Sequence, residues 1–569
     1  MKKNSKSERW VFVLLLLGRV VSLNAEDAVR SNTPASDFMS RHRDNADSVD
    51  AKSSLTTAYG PMGRWPWSPD RGDGAFHNPI IFADYSDPDV IRHGDDFFLT
   101  ASSFNCTPGL PILHSHDLVN WTIINHAVTN LPDPRYTEVQ HGSGIWAPAI
   151  RFHAGKFWIF FPTPDEGIYV TTAEDPAGKW SEPHLLQAGK GLIDPCPLWD
   201  DDGKAYLVHA YAASRAGIKN ILRVRPMAPD GSRLLGDGQI VFHDPASHPT
   251  LEGPKFYKRD GWYYILAPAG GVKTGWQVAL RSRNVYGPYE DKIVLAQGRT
   301  DVNGPHQGAL VETQTGEWWF VHFQDRGAFG RIVHLQPVTW EDGWPVMGER
   351  GEPVRAARKP AVGRSYPIAV PQTTDEFDSP QLGVQWQWHA NHRAEWFSLS
   401  AQPGWLRLFA WPRPRSASNL WPVPNLLLQK LPAPEFTVTS RLDFSKLAVG
   451  ERAGLIVMGL DYSYLAAERT AAGFRLIKVV CRDAEHAAGE MLEGEVEVPS
   501  ELILLRVKVN PGAVCDFSYS QDGKRFVSLG LPFTAREGKW IGAKVGLFCS
   551  ANSQTNASGH ADFDWFRFE

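Results

Sequence analysis

Five short runs of aromatic and β-branched residues recur along the first two thirds of the chain, and each follows directly on a glycine. The glycines are Gly94, Gly155, Gly203, Gly261 and Gly316, at intervals of 61, 48, 58 and 55 residues. A hairpin turn that leads into a strand and returns at this spacing is typical of a four-stranded unit. The pattern therefore predicts a five-bladed β-propeller.

The pattern changes at about residue 375, where short alternating strands separated by turns continue without the repeat. Short strands of this kind over about 195 residues predict a β-sandwich of jelly-roll type, so the fold class is all-β. A stretch rich in Pro and Arg precedes it and predicts a linker. The predicted organisation is a signal peptide at 1–25, a flexible polar leader at 26–75, a propeller at 76–360, a linker at 361–374 and a sandwich at 375–569.

The N-terminus has the pattern of an export signal. Four basic residues precede a run of about nine largely apolar residues, and small residues near Ser22 and Ala25 provide a cleavage point. The apolar run is shorter than the roughly 20 residues that span a bilayer. We therefore expect a periplasmic or extracellular protein without a membrane span; an amphipathic anchor is the alternative.

Composition narrows the class of partner. The formal net charge is −5 and the pI is about 6.4, which argues against a nucleic acid or an anionic membrane as the partner. The 22 tryptophans suit a carbohydrate-binding protein, although most of them are expected in the core. Five cysteines without a CxxC pair form no disulfide framework, and one bridge in the C-terminal part is left open.

Carboxyl groups occupy one position of the repeat. Nine residues before the last four glycines stand Trp146, Asp194, Glu252 and Gln307, and Asp87 stands seven before the first. Equivalent positions of the blades converge on the propeller axis, so we expect these side chains to meet. Glycoside hydrolysis needs one carboxylic acid and one carboxylate, and a third carboxyl nearby can keep the acid protonated. The alternative is that Asp-Pro and Glu-Gly pairs only form turns at strand starts.

Five segments in order resemble the successive motifs of glycoside hydrolase family 43. They cover about residues 78 to 350 and begin at Asn78, Gly144, Ile193, Leu251 and Gly330. The C-terminal part is similar to the sandwich domain of the family's xylosidase-like members. The resemblance implies an inverting glycosidase that removes terminal β-1,4-xylosyl or α-L-arabinofuranosyl residues from plant cell-wall polysaccharides or oligosaccharides.

The resemblance also implies roles for particular residues. Asp87 is the expected general base, Glu252 the general acid, and Asp194 the residue that tunes and orients the acid. The carboxyls of Asp87 and Glu252 are then expected roughly 6.5–9.5 Å apart, which leaves room for a water. The other expected substrate contacts are Arg331, on the sugar or a catalytic carboxylate, Trp146 and Phe104 as subsite walls, Trp276 as a further wall, and His306.

No cofactor is expected to be required, and a structural calcium ion near His306 is left open. Rival functions are a non-catalytic carbohydrate-binding protein and an endo-acting arabinanase or xylanase of the same fold. Retaining fructan-cleaving propellers are disfavoured, since Ile193 stands where their Arg-Asp-Pro motif needs arginine. A phosphorylase is disfavoured because no cluster of Arg and Lys accompanies the acids. The choice between xylose and arabinofuranose stays open.

Overall fold

The computed structural model describes residues 65–551 and 558–569. The predicted signal peptide and most of the polar leader lie outside the described residues. Within them the regular secondary structure is almost entirely β-strand, together with five short helical turns. These turns are Pro134–Thr137, Ala213–Ala216, Gly327–Phe329, Ala394–Trp396 and Ala484–His486. No helix in this part of the chain has the length and hydropathy needed to cross a membrane.

Five antiparallel sheets of four strands follow one another along the chain, and the prediction of a five-bladed propeller is confirmed. Strand β1 (Ala75–His77) precedes them. The blades comprise β2 (Asp89–His93), β3 (Asp96–Thr100), β4 (Gly109–Ser115) and β5 (Thr122–Val128); β6 (Ala149–His153), β7 (Lys156–Thr163), β8 (Gly167–Ala173) and β9 (His184–Ala188); β10 (Leu192–Trp199), β11 (Ala205–Tyr211), β12 (Leu222–Met227) and β13 (Gln239–Phe242); β14 (Lys255–Arg259), β15 (Trp262–Ala269), β16 (Trp276–Ser282) and β17 (Glu290–Ala296); β18 (His306–Glu312), β19 (Trp318–Asp325), β20 (Arg331–Glu341) and β21 (Trp344–Met347).

The repeated glycines occupy the turn between the first and second strand of every blade. Their φ angles lie between 63° and 86°, a left-handed conformation that glycine adopts without a steric penalty. The aromatic run that follows each glycine is the second strand, and its apolar side chains are buried between neighbouring blades. The first strands lie next to one another around the axis, in the order β18, β2, β6, β10 and β14.

The propeller is closed by a short additional sheet and is followed by a sandwich. Strand β1 pairs antiparallel with β22 (Ala356–Arg358), which brings the two ends of the propeller region together. Each sheet of the sandwich has eight strands. The first contains β23 (Gln387–Trp388), β27 (Leu427–Lys430), β37 (Lys544–Ala551), β29 (Glu451–Met458), β30 (Tyr462–Arg469), β31 (Phe474–Cys481) and β32 (Met491–Glu497), with β26 (Trp411–Pro412) beside β37. The second contains β24 (Phe397–Ser398), β25 (Leu406–Phe409), β38 (His560–Phe568), β28 (Phe436–Asp443), β33 (Leu502–Asn510), β34 (Val514–Ser520) and β35 (Val527–Ser528), with β36 (Phe533–Thr534) beside β34.

A continuous apolar core joins the two sheets of the sandwich, with residues such as Leu455 and Leu505 completely buried. Burial of this apolar surface, and not a covalent link, stabilises the domain. All five cysteines are buried and free, so the C-terminal disulfide that the sequence left open is not formed.

The sandwich is hydrogen-bonded to the propeller through backbone groups. Gly542 N–H donates to Asp84 Oδ2 at 3.0 Å, and Ala543 N–H donates to the Ala328 carbonyl at 2.7 Å. Thr107 and Trp388 exchange a further pair of hydrogen bonds, at 3.1 and 2.6 Å. The bonds of Gly542 and Ala543 hold the segment 535–543, which connects β36 and β37, against the propeller where β20 begins.

Candidate active site

Three carboxyl groups meet at the starts of the inner strands. Asp87 lies just before β2, Asp194 lies within β10, and Glu252 lies just before β14. They line a single pocket of about 110 Å³. The pocket's other lining residues are Phe104, Trp146, Ala147, Ile193, Val272, Gln307, Arg331 and Trp540. The structure thus brings together the carboxyl groups that the repeat placed in register.

An unusual backbone conformation recurs at these positions. Asp87, Asp194 and Gln307 have φ angles of 55°, 56° and 36°. Asp194 and Gln307 also coincide with irregularities in the pairing of the first two strands of their blades. A bulge with a left-handed residue re-aims a side chain, and such conformations concentrate at functional sites. Because a left-handed residue occurs at the equivalent position of three blades, the side chains of Asp87, Asp194 and Gln307 are directed to one place at the axis.

Hydrogen bonds from three neighbouring side chains fix the carboxylate of Asp87. Ser102 and Ser86 donate their hydroxyls to Oδ2 at 2.6 and 2.8 Å. Arg331 Nη1 lies 3.1 Å from Oδ1. Asp87 is buried, so a carboxylate with these donors is held in one orientation toward the pocket.

The surroundings of Asp194 favour its protonated form. Its side chain is 4% exposed, and its Oδ2 accepts the Gly253 N–H at 2.7 Å. Burial, and then the nearby charge of Glu252, raises the pKa of Asp194 to about 8, although the bond from Gly253 acts in the opposite direction. Asp194 therefore retains its proton at neutral pH. An uncharged neighbour limits the negative charge around Glu252, which suits a site that needs a general acid.

Glu252 is the most accessible of the three carboxyls. Its side chain is 30% exposed, while Asp87 and Asp194 are buried. Its Oε1 lies 3.8 Å from Nε2 of His306, which is completely buried. A group that donates a proton to a departing sugar must reach the open part of the pocket, and the exposure of Glu252 meets this condition.

Arg331 contacts the catalytic carboxylate of Asp87 and its neighbour Ser86. Its Nη1 donates to the Ser86 hydroxyl at 2.6 Å as well as to Asp87, and its guanidinium lies 4.9 Å from the centre of the Phe323 ring. Its backbone N–H donates to Asp84 Oδ1 at 2.9 Å. Of the two contacts that the sequence left open for Arg331, the structure shows the one with a carboxylate.

Two predicted aromatic residues lie on one side of the pocket. The rings of Phe104 and Trp146 are 6.4 Å apart, and Trp146 Nε1–H donates to the Gly142 carbonyl at 3.2 Å. The Arg215 guanidinium lies over the Trp146 ring at 5.3 Å. Both rings are thus fixed by their surroundings, and they offer apolar faces to the C–H groups of a sugar.

Trp540 is an aromatic lining residue that sequence reasoning missed. It lies in the segment 535–543 of the sandwich, has a φ of 65°, and is 51% exposed. The sequence contains no pattern that predicts this position, because Trp540 reaches the pocket only through the packing of the sandwich on the propeller. Gln307 did have a signal, since it stands in the same register as the three carboxyls, but no role was assigned to it.

Two predicted site residues do not line this pocket. Trp276 belongs to β16, where its ring packs against Gly270 and its Nε1–H points to His248 Nδ1 at 3.5 Å. The glycine-rich loop that suggested a subsite wall therefore covers the indole. His306 is fully buried and lies 3.8 Å from Glu252, outside the lining of the pocket.

The surroundings of His306 do not fit a calcium ion held by protein groups. Ca²⁺ prefers six to eight oxygen ligands. Around His306 the one carboxylate within 4 Å among the described residues is Glu252. We therefore assign no step of the reaction to a metal at this position.

Similar proteins agree with the arrangement of both domains. The sequence model of Glycosyl hydrolases family 43 matches residues 76–345, and that of the Beta xylosidase C-terminal Concanavalin A-like domain matches residues 374–569. A candidate beta-xylosidase of Xylanibacter ruminicola is 39% identical over 84% of this chain and 86% of its own length. A beta-xylosidase of Formosa agariphila is 33% identical over 91% of this chain and 94% of its own.

A relative with a different named activity and a solved structure complete the comparison. A non-reducing end alpha-L-arabinofuranosidase of Bacteroides ovatus is 29% identical over 89% of this chain and 97% of its own length. The crystal structure of a point mutant of a family 43 protein from Bacillus licheniformis superposes with a TM-score of 0.76 at 28% identity, covering 87% of this chain and 99% of the other. The chain therefore belongs to glycosyl hydrolase family 43 and is a glycoside hydrolase.

Proposed function

We propose that this glycoside hydrolase removes terminal pentose residues, β-1,4-xylosyl or α-L-arabinofuranosyl, from plant cell-wall polysaccharides or oligosaccharides with inversion of configuration. The observation that carries the proposal is the meeting of three carboxyls in one small pocket. The pocket of about 110 Å³ is bounded by Trp540 of the sandwich, a shape that suits one terminal sugar better than the middle of a long chain. The relatives named for xylosidase and arabinofuranosidase activity support the same class of substrate.

The carboxyl groups divide the chemistry between them. Glu252, the accessible carboxyl, protonates the glycosidic oxygen as the bond to the leaving group breaks. Asp87, held by Ser86, Ser102 and Arg331, accepts a proton from the water that attacks the opposite face of the sugar. Asp194 keeps a proton close to Glu252 and so maintains the acid in its working form. Inversion requires the carboxyls of Asp87 and Glu252 to lie roughly 6.5–9.5 Å apart.

The proposal is tested by the release of a chromogenic aglycone from an aryl β-D-xyloside and an aryl α-L-arabinofuranoside, measured side by side. Turnover of either substrate supports a pentosidase, and the ratio identifies the preferred sugar. Proton NMR of the first product then reports its anomeric form. A product that retains the substrate's configuration would contradict the roles of Asp87 and Glu252, and no turnover of either substrate would contradict the choice of a terminal pentose.

We propose that catalysis requires no cofactor, because Asp87, Asp194 and Glu252 supply the acid and base functions of the reaction. We therefore expect kcat and KM on the preferred aryl glycoside to change by less than about twofold after exhaustive treatment with a chelator. The measurement is a rate assay before and after chelation, with calcium added back as the control. A loss of turnover that calcium restores would assign an essential ion to the protein.

We also propose that the protein is exported to the periplasm or the extracellular space. The basic residues and the apolar run within residues 1–25 support this location, although they lie outside the described residues. Polymeric plant material is outside the cell, so the proposed location suits the proposed substrate. N-terminal sequencing of the mature protein tests it, with a start after about residue 25 as the expected result.

Replacement of Trp540 by Ala is expected to weaken substrate binding at the pocket. The ring offers apolar surface at the mouth, and loss of that contact should raise KM about tenfold, with a smaller effect on kcat. Steady-state kinetics on the preferred glycoside are the measurement. Trp405→Ala removes a partly exposed tryptophan of the sandwich that does not line the pocket, and it should leave KM unchanged. Equal effects of the two substitutions would exclude Trp540 from the subsite.

Replacement of Asp194 by Asn is expected to change the pH dependence of the enzyme. Asp194 retains a proton up to about pH 8 in the native protein, and its ionisation above that pH adds a negative charge to the site, so activity should fall there. Asn cannot ionise, so the alkaline limb of the kcat/KM profile near pH 8 should be lost in the variant. Full pH profiles of both proteins are the measurement, and superimposable profiles would show that Asp194 does not tune the acid.

The same substitution should change stability in a pH-dependent manner. The native pKa of Asp194 is above its unfolded value, so ionisation of Asp194 costs stability progressively as the pH rises from about 4 to 8. Asn still accepts the bond from Gly253 and removes that cost. The difference in free energy of unfolding, variant minus native protein, should therefore be larger at pH 8 than at pH 4 by at least about 1.4 kcal/mol. Denaturant unfolding at the two pH values gives this difference.

A further inference from the structure

Two histidines and an aspartate converge on the first blade, which consists of β2 to β5, and none of them lines the catalytic pocket. Asp96 begins β3, His114 lies near the end of β4, and His116 follows two residues later. His114 Nε2 and His116 Nδ1 each lie 2.8 Å from Asp96 Oδ1, and the two imidazole rings are nearly perpendicular at 4.6 Å. Their side chains are only 23–25% exposed, so this is a partly enclosed cluster with access to solvent.

The strand register explains why the three side chains meet. His114 and His116 are two residues apart, so they project on the same side of the extended chain. Phe98 pairs with His114 across the two strands, and continuation of this register places Asp96 opposite His116. Both rings are also held from outside the cluster. Phe98 packs on His114 with ring centres 5.3 Å apart, and Tyr366 stacks on His116 at 4.5 Å with an interplanar angle of 12°.

Direct hydrogen bonding does not satisfy the whole cluster. His114 Nε2 is hydrogen-bonded to Asp96 Oδ1. His116 Nδ1 is buried and lies 2.8 Å from the same oxygen, but this contact lacks the geometry of a good hydrogen bond. One carboxylate oxygen thus faces two imidazole nitrogens, and a cation between the three ligand atoms would contact all of them at once.

We propose that Asp96, His114 and His116 bind a divalent transition-metal ion, with zinc as the best match. Zinc combines imidazole nitrogen and carboxylate oxygen ligands in a tetrahedron, with bonds of about 2.0–2.2 Å that place ligand atoms about 3.3 Å apart. The three ligand atoms of this cluster already lie within 4.8 Å of one another. Solvent supplies the fourth ligand on the accessible side. The hard cations Ca²⁺ and Mg²⁺ are disfavoured because two of the three donors are nitrogen.

The second cluster of acids and histidine in the described residues lacks these features. Asp483, Glu485 and His486 lie on an exposed turn, with one imidazole only. His486 Nδ1 is already hydrogen-bonded to Asp483 Oδ1 at 2.8 Å, and both side chains are more than half exposed. This arrangement is a solvated surface pair, and it serves as an internal control for the proposed site.

The position of the proposed site suggests a structural role. Tyr366, which stacks on His116, belongs to the segment between the last propeller strand and the sandwich. In the same segment Arg364 pairs with Asp95, which neighbours Asp96, at 3.3 Å. A metal that fixes the His116 ring would therefore also fix the surface on which this connecting segment packs. The proposal does not depend on the identity of the sugar or on the catalytic mechanism.

The test is zinc binding by the full chain without an affinity tag, after removal of metals with a chelator. Calorimetric titration with Zn²⁺ should give about one ion per chain, and cobalt should give the intense visible absorption of a tetrahedral site. His114→Ala and His116→Ala should each weaken zinc binding at least about tenfold. His486→Ala, in the control cluster, and His184→Ala, on the exposed start of β9, should bind as the native chain does.

Thermal unfolding provides a second reading and a check on folding. Zinc should raise the Tm of the native chain and leave the Tm of His114→Ala and His116→Ala unchanged, because a ligand stabilises only the state that binds it. In chelator all variants should remain folded, as shown by a cooperative unfolding transition, and hydrolyse the preferred glycoside at the native rate. The proposal is overturned if the native chain binds no zinc, if His114→Ala binds it normally, or if His486→Ala abolishes binding.

Discussion

Glu252→Gln should lower kcat on a substrate with a poor leaving group, such as a xylo-oligosaccharide, by about 10³-fold. General acid catalysis typically contributes 10²–10⁴-fold, and the amide cannot donate the proton that the departing oxygen needs. An activated leaving group, such as dinitrophenolate, departs without protonation, so its glycoside should lose much less. The measurement is kcat for a series of aryl glycosides of graded leaving-group acidity, which should show a steep dependence in the variant and a shallow one in the native enzyme.

The control for this substitution is Glu290→Gln. Glu290 is an exposed carboxylate that pairs with Arg281 at the surface, and surface pairs of this kind contribute little to stability. Its replacement should leave all rates within about twofold. A pure carbohydrate-binding protein would show no turnover before or after replacement of Glu252. A uniform loss for good and poor leaving groups would remove Glu252 from the role of acid and leave it as a binding residue.

The parts of the fold that were predictable from sequence are those set by local and repeated signals. Each turn requires a left-handed φ that glycine adopts easily, and this requirement involves only a few neighbouring residues. The repeat can therefore be recognised in the sequence, from Gly94 to Gly316. The register of Asp194 and Glu252 follows from that repeat, because the same distance of nine residues from an equivalent turn becomes the same height along the axis. Asp87 stands two residues nearer to its glycine. The motifs of glycoside hydrolase family 43 include the same residues, because they too are local segments at the starts of the blades.

The parts that were not predictable depend on contacts between distant segments. Trp540 reaches the pocket because Gly542 binds Asp84, two residues that are 458 positions apart. Trp276 follows a loop that resembles a pocket rim, yet its indole turns to Gly270 and His248. The direction in which a side chain leaves its strand is decided by such packing partners. Periodicity predicts that a strand is present but leaves these partners undetermined.

The ion pair of Arg331 and Asp87 joins a residue marked by sequence similarity to a contact that only the structure shows. Sequence similarity marked Arg331 as a residue near the sugar, and the structure adds that its guanidinium also contacts Ser86 and the carboxylate of Asp87. Because Asp84 binds both the Arg331 N–H and the Gly542 N–H, the same few residues orient Asp87 and hold the sandwich segment at the pocket. The sandwich thereby acts as part of the active-site wall.

Asp87→Asn should abolish most turnover on every substrate, whatever its leaving group. Asn cannot accept the proton of the attacking water, and the loss of a general base is expected to cost about 10²–10⁴-fold in kcat. This uniform loss distinguishes Asp87 from Glu252, whose replacement should spare activated substrates. The amide still accepts hydrogen bonds from Ser102 and Ser86, so the pocket should keep its shape and its affinity for the sugar product.

Two measurements on the Asp87 variant decide the assignment. Rates across the same series of leaving groups should fall in parallel, and binding of the free pentose, measured by calorimetry, should change by less than about tenfold. Asp95→Asn removes a neighbouring carboxylate that is exposed at the surface, and it should have native kinetics. A covalent glycosyl-enzyme that accumulates on Asp87 of the native enzyme would show instead that this carboxylate is a nucleophile, and the reaction would then retain configuration.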